Sequence, residues 1–282
     1  MSFAIDILRA RKPVVAAGAF HPRDLFIAAE RGNVWDPSDI ATLFQNVAGT
    51  TPVTAAGQTV GYVTDTSPNL SNYNAAGDNT TRPTYQVDSD GKGYLNFDGV
   101  NDVLYAAPFT ASPTNARYTI IVGLYSTTTT TKVMLSCQSS TAANPLIQPL
   151  NGNSTGGVYG SLRNDSASSS TGFPTLAAFY NNVKRVATTY YSGPGQPWRI
   201  RDAATRPAGG GFGNYTGGNS SPTAMNYTVD RSALGAIAGA TPGAFFAGRI
   251  YAGCVINRVL TDAEIKNLED WVAARCLTAA LP

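Results

Sequence analysis

The stretch FFAGRIYAGCVINRVLTDAEIKNLEDW, Phe245 to Trp271, decides the fold. Its first half, Phe245 to Asn257, is apolar, aromatic and β-branched, which suits a buried strand. Its second half opens on Thr261-Asp262-Ala263-Glu264, a capping box. The Thr261 hydroxyl can accept from the Glu264 N–H, and the Glu264 carboxylate can reach back to the Thr261 N–H. Leu260 and Ile265 take the two staple positions around that cap. Ile265, Leu268, Val272 and Cys276 then recur along one helix face. A core strand therefore feeds one amphipathic helix that closes the domain. The rest of the chain reads mainly as β.

Working outward, Tyr94 to Leu104 holds two β runs around Asp98-Gly99-Val100-Asn101-Asp102, the pattern of a tight β turn or bulge. Tyr118 to Ser126 is apolar on both faces and reads as a central strand, with Lys132 to Cys137 as its partner across the threonine tract Thr127 to Thr131. Thr59 to Asp65, Leu146 to Leu150, Gly157 to Arg163 and Val183 to Tyr191 are further strands. Ser192 to Pro197 is a hairpin turn into Trp198-Arg199-Ile200-Arg201. His21 to Gly32 reads as a short helix, with Pro22 in its first turn and Gly32 as its C-cap. Pro68 to Thr84 and the glycine-rich Pro207 to Pro222 read as loops. No linker splits the chain. Residues 1–23 form an N-terminal arm, either a docking segment that orders on a partner or an edge strand, and 24–282 form one domain. Short strands at regular intervals predict an all-β, two-sheet antiparallel sandwich with a short N-terminal arm and helix and one C-terminal amphipathic helix.

The totals agree. The chain has 282 residues, 43% of them hydrophobic, which suffices for a large single core. Charged residues are 13%, about half the usual share. The net charge of +2 comes without a Lys/Arg run, which argues against a nucleic-acid partner. No apolar run approaches the roughly 18 residues of a membrane span. The N-terminal apolar run, Val14 to Ala17, is short and flanked by Pro13 and Gly18, so it reads as mature sequence, not a signal peptide. Three cysteines, Cys137, Cys254 and Cys276, cannot make a full disulfide framework, and Cys254 and Cys276 read as buried apolar residues.

Catalytic patterns are missing. Glycoside hydrolysis needs two carboxylates facing each other across a sugar. Only three glutamates occur, Glu30, Glu264 and Glu269, and the Asp pairs Asp88/Asp90 and Asp98/Asp102 each flank a glycine turn. The single histidine, His21, precedes Pro22 and reads as a cap or a solvated side chain. No Cys/His spacing suggests zinc.

Three stretches resemble a known family. FDGVND at Phe97 to Asp102, and the Phe246 to Trp271 segment, resemble the strand-turn and closing motifs of concanavalin A-like, laminin-G-like jelly-roll domains. WDPSDIATLFQNVAGTTPVTAAGQTVGYVTDTS, from Trp35, resembles a lead-in found on such domains in bacteriophage virion proteins. The resemblance runs from about Asp24 to Cys276. It implies two stacked antiparallel sheets, and function has to be argued from the site.

The expectation is a non-enzymatic virion structural protein, a capsid decoration, head-fibre or tail-associated jelly roll, with other virion proteins as partners and the virion as its location. The alternative is a glycan-binding adhesin that recognises host surface polysaccharide. Carbohydrate-binding candidates are Tyr159, Arg163, Tyr190, Trp198, Phe212, Asn214 and Tyr215, with ordinary core packing as the competing reading for Tyr190 and Trp198. Asp98, Asn101 and Asp102 supply either a self-bonded structural turn or hard oxygens for calcium. No other cofactor is expected. Homo-oligomerisation through apolar or Thr-rich edges is open.

Overall fold

The computed structural model describes residues 20–75, 79–110, 117–127, 132–140, 146–152, 158–163, 171–172, 182–193, 197–207, 216–219, 229–237 and 239–282, with side chains given outside 146–152, 158–163, 171–172, 197 and 216–219. The threonine tract from 128, the arm through 19 and most of the glycine-rich loop lie outside them.

The strands follow in chain order. The first are β1 (Gly32–Trp35), β2 (Leu43–Phe44), β3 (Tyr62–Val63), β4 (Tyr73–Ala75) and β5 (Thr84–Val87). Next come β6 (Gly93–Asp98), β7 (Leu104–Ala106), β8 (Tyr118–Ser126), β9 (Val133–Gln138), β10 (Leu146–Gly152) and β11 (Val158–Arg163). The last are β12 (Thr171–Gly172), β13 (Arg185–Tyr191), β14 (Pro197–Asp202), β15 (Thr216–Asn219), β16 (Arg231–Leu234) and β17 (Ala247–Ile256). The helix α1 is Asp262–Cys276.

Two antiparallel sheets form a jelly-roll-type sandwich. One has eight strands in the order β15-β14-β13-β8-β17-β6-β5, with β1 also paired to β17. The other has nine, in the order β12-β11-β10-β9-β16-β7-β4-β3-β2. As the opening stretch predicts, β17 is central. It pairs with β8 along one edge, while β6 and β1 share the other.

Strand alternation builds two cores. Along β8, Ile120, Val122 and Leu124 point between the sheets, where they meet Trp35, Tyr73, Phe97, Tyr118, Tyr191 and Trp198. Ile121 points the other way, with Val34, Val186, Cys254 and Ile256, toward Ile265, Leu268 and Val272 of α1. The capping box forms as read: Glu264 N–H donates to Thr261 Oγ1 at 3.4 Å, and Thr261 N–H donates to Glu264 Oε2 at 2.8 Å. Leu260 and Ile265 share one cluster, and Ile265, Leu268, Val272 and Cys276 are all buried. Each large apolar side chain so buried is worth about 1.5–3 kcal/mol. All three cysteines are free and buried.

Four sequence expectations change. The helix over His21 to Gly32 shrinks to one 3-10 turn, Pro22–Leu25, because the chain turns to lay β1 against β17. Gly32 sits with φ +151°, and a Cβ there would stand 1.9 Å from the Val255 carbonyl oxygen. The run Thr59 to Asp65 keeps only β3 as a strand. Val60 and Val63 both reach the core, since the chain bends at Gly61, whose backbone presses on Gln45. Pro68 to Thr84 includes β4 and is not all loop. Finally, β8 and β9 are not partners, since β9 pairs with β10 and β16 in the other sheet.

The Asp98 turn forms as read. It leaves β6 in the eight-stranded sheet and delivers β7 to the nine-stranded one. The turn is a crossing between layers, not the loop of a hairpin.

Candidate functional site

The helix α1 covers much of the outer face of the eight-stranded sheet. The outer face of the nine-stranded sheet is a different surface. Leu43, Val63, Tyr73, Ala75 and Leu104 point from it into the inter-sheet core. Their alternate neighbours must then point outward. The register places those neighbours in one row: Phe44 opposite Tyr62, Tyr62 opposite Asn74, and Asn74 opposite Tyr105. All four are half-buried. Three strand spacings of about 4.8 Å make this row about 14 Å long, longer than one sugar ring.

The row is held in place from both ends. Tyr62 meets Phe44 edge to face, with ring centroids 5.6 Å apart. The Gly49 turn lies against the Tyr62 ring. At the other end Arg231 lies over Tyr105, its guanidinium carbon 4.5 Å from the ring centroid, and donates to the Gly239 carbonyl. Ser136 donates to the Ala236 carbonyl at 2.8 Å, so the chain after β16 folds over β9 and β16 and bounds the platform there. Burial raises the Tyr105 phenol pKa against the opposing pull of Arg231. Its hydroxyl therefore stays a neutral donor. The row offers apolar ring faces with polar tips, an amide that both donates and accepts, and a fixed cation.

The residues singled out in the sequence fare differently. Trp198 is fully buried against Tyr118 and Tyr191, and its indole N–H donates to Thr189 Oγ1 at 2.7 Å. Tyr190 is 5% exposed. Neither ring can face a ligand, because strand pairing turns Trp198 into the core and α1 closes over the Tyr190 side. That corrects both as candidates. Tyr159 and Arg163 lie on β11 in the nine-stranded sheet, where their side chains are outside the described set. Phe212, Asn214 and Tyr215 lie outside the described residues altogether.

The Asp98 turn bonds to itself. Asp98 Oδ1 accepts from Val100 N–H at 2.7 Å and Asn101 N–H at 3.4 Å, and Asp102 Oδ2 accepts from Asp98 N–H at 2.8 Å. Among the described residues no group of three or more His, Cys, Asp or Glu could hold a metal ion. His21 caps its turn, its Nδ1 accepting from Arg23 N–H at 3.2 Å.

The other acidic pair is tied up as well. Lys184 Nζ lies 2.5 Å from both Asp88 and Asp90. Burial pushes the Asp88 carboxyl up, but bonds from Lys184, the Lys92 N–H, Tyr251 and the Asp90 N–H outweigh it and hold it at about 2. Two carboxylates bound to one lysine are poorly arranged for acid–base chemistry on a sugar.

No protein-family model matches the sequence, and no curated protein sequence matches it. Solved structures share the fold. The binding domain of botulinum neurotoxin serotype D aligns over 74% of this chain and 48% of its own, with a TM-score of 0.52 and 11% identity. Trypanosoma rangeli sialidase in complex with sialic acid aligns over 85% of this chain and 37% of its own, with a TM-score of 0.51 and 12% identity. The Ruminococcus gnavus IT-sialidase CBM40 bound to alpha2,3 sialyllactose aligns over 54% of this chain and 82% of its own, with a TM-score of 0.43 and 18% identity. At these identities the likeness to the first two concerns the sandwich architecture alone.

Proposed function

We propose that this chain is a non-enzymatic glycan-binding module whose sugar platform is the outer row Phe44, Tyr62, Asn74 and Tyr105. The observation that carries the reading is that ladder of half-buried rings and an amide on a sheet face that no helix among the described residues covers. Amphipathic rings lie against the apolar faces of sugars, while Asn74, the Tyr105 hydroxyl and Arg231 serve the sugar hydroxyls. A row across four strands is also rigid, so little ordering cost falls on binding.

A glycan array with the intact chain tests this, with sialylated glycans and bacterial polysaccharides among the probes. Tyr62→Ala combined with Tyr105→Ala is expected to weaken the strongest binding at least tenfold while the melting transition stays cooperative. Binding to no glycan at millimolar sugar, or binding that ignores the double substitution, overturns the reading.

The setting we propose is a bacteriophage particle, where such a module would serve attachment. That part rests on the resemblance of the lead-in from Trp35 alone. Immunogold labelling of purified particles tests it, and particles without the protein would exclude it.

A further inference from the structure

The outer face of the eight-stranded sheet is not all under α1. Beyond the end of the helix, Arg249 of β17 stands outward and half-buried. Its guanidinium carbon is 4.9 Å from the Tyr94 ring centroid and 4.5 Å from that of Tyr125. Two rings on neighbouring strands hold the planar group in one orientation. Tyr251 adds a third restraint. Its hydroxyl donates to Asp88 Oδ2 at 2.9 Å and accepts a hydrogen bond from Arg249.

Among the described residues this cation has no carboxylate at ion-pair distance. Arg185, Arg201, Arg206, Arg258 and Arg275 each have a carboxylate within ion-pair distance. Among the described residues none lies that close to Arg249. The nearby Asp88 and Asp90 are both engaged by Lys184. Yet Arg249 carries five N–H donors in a rigid fork that matches a carboxylate. Directly across the strand pair stands Asn96, half-buried, and on the other side Tyr125. A fixed guanidinium flanked by an amide and a phenol suits a carboxylate beside ring hydroxyls.

We propose that Arg249, with Asn96 and Tyr125, forms a second binding site that takes an acidic sugar, a uronic-acid type of residue, through its carboxylate. The site is on the face of the sandwich opposite the glycan row and does not depend on that row. A chain with both sites grips an acidic polysaccharide from two sides of one module.

Isothermal titration of the intact chain with sodium glucuronate, glucose and sodium acetate tests this. Glucuronate should bind, glucose should not respond at this site, and acetate should bind at least tenfold more weakly than glucuronate. Arg249→Gln should weaken glucuronate at least tenfold, and Arg249→Lys should recover little because an ammonium lacks the fork. Should Arg249→Gln fail to fold, Asn96→Ala must weaken glucuronate instead. No heat with glucuronate, or equal binding by the variants that fold, overturns the proposal. A chain that binds neutral glycans through Tyr62 and Tyr105 but ignores glucuronate overturns this site and leaves the platform standing. The reverse result does the opposite.

Discussion

Glu269 on α1 meets Arg201 on β14 at two points, Nε to Oε1 at 2.9 Å and Nη2 to Oε2 at 2.8 Å, with neither side chain exposed. Thr188 of β13 donates to the same carboxylate at 2.5 Å, and Arg206 lies 3.2 Å from it. A buried pair of this kind adds little net stability when compared with well-packed apolar residues, but breaking it leaves a charge stranded. Glu269→Ala is therefore expected to cost about 3–5 kcal/mol, read from urea or guanidinium unfolding. Arg201→Met combined with Glu269→Leu should recover part of that loss. A cost below about 1 kcal/mol for Glu269→Ala would mean that water reaches the pair.

The helix approaches the sheet closely at one glycine. A Cβ on Gly123 of β8 would stand 2.8 Å from the Cys276 Cβ and 3.2 Å from Val272 Cγ1. Gly123→Ala should then cost about 1–3 kcal/mol through overpacking. An unchanged melting temperature would show that α1 can lift off the strand.

The crossing turn gives the fold a pH dependence. Asp102 is 4% exposed, and burial, with the Asp98 carboxylate beside it, pushes its carboxyl up to about 6 against the pull of the Asp98 N–H. A carboxyl that holds its proton more tightly when folded favours folding at lower pH. Its contribution is complete below the unfolded value of about 4 and is lost as pH rises through about 6. The melting temperature should climb between about pH 7.5 and 5, and Asp102→Asn should flatten that climb. Glu264 works the other way below about pH 4. Its bond to Arg258 holds it at about 2, so acid removes what it contributes.

Calcium can be tested at the same turn. Asp98 and Asp102 already spend oxygens on three backbone N–H groups. We expect the same melting temperature in excess chelator and in millimolar calcium. A rise with calcium would place a cation among Asp98, Asn101 and Asp102.

Much of this was legible in the chain itself, for a physical reason. Thr261, Glu264 and the Ile265 to Cys276 stripe act within a few residues of one another, so composition and spacing reveal them. The assignment of strands to sheets is not local. The runs on either side of Asp98 look alike whether they pair with each other or part company between layers. For the same reason Trp198 looked available for a sugar, since only its register against Tyr191 turns it inward. The candidate platform is not legible in the sequence because Phe44, Tyr62, Asn74 and Tyr105 come from four strands scattered over some sixty residues. Alternation around Val63 and Leu104 was the available clue, and it is weak in strands this short.

The place of β17 governs when the molecule can form. Strands β6 and β8 have no common neighbour until residues 247–256 slide between them. During synthesis, the facing edges of β6 and β8 must wait unpaired until then. The nascent chain is thus most exposed to aggregation until β17 emerges, and a helper that shields emerging polypeptides would matter most at that moment.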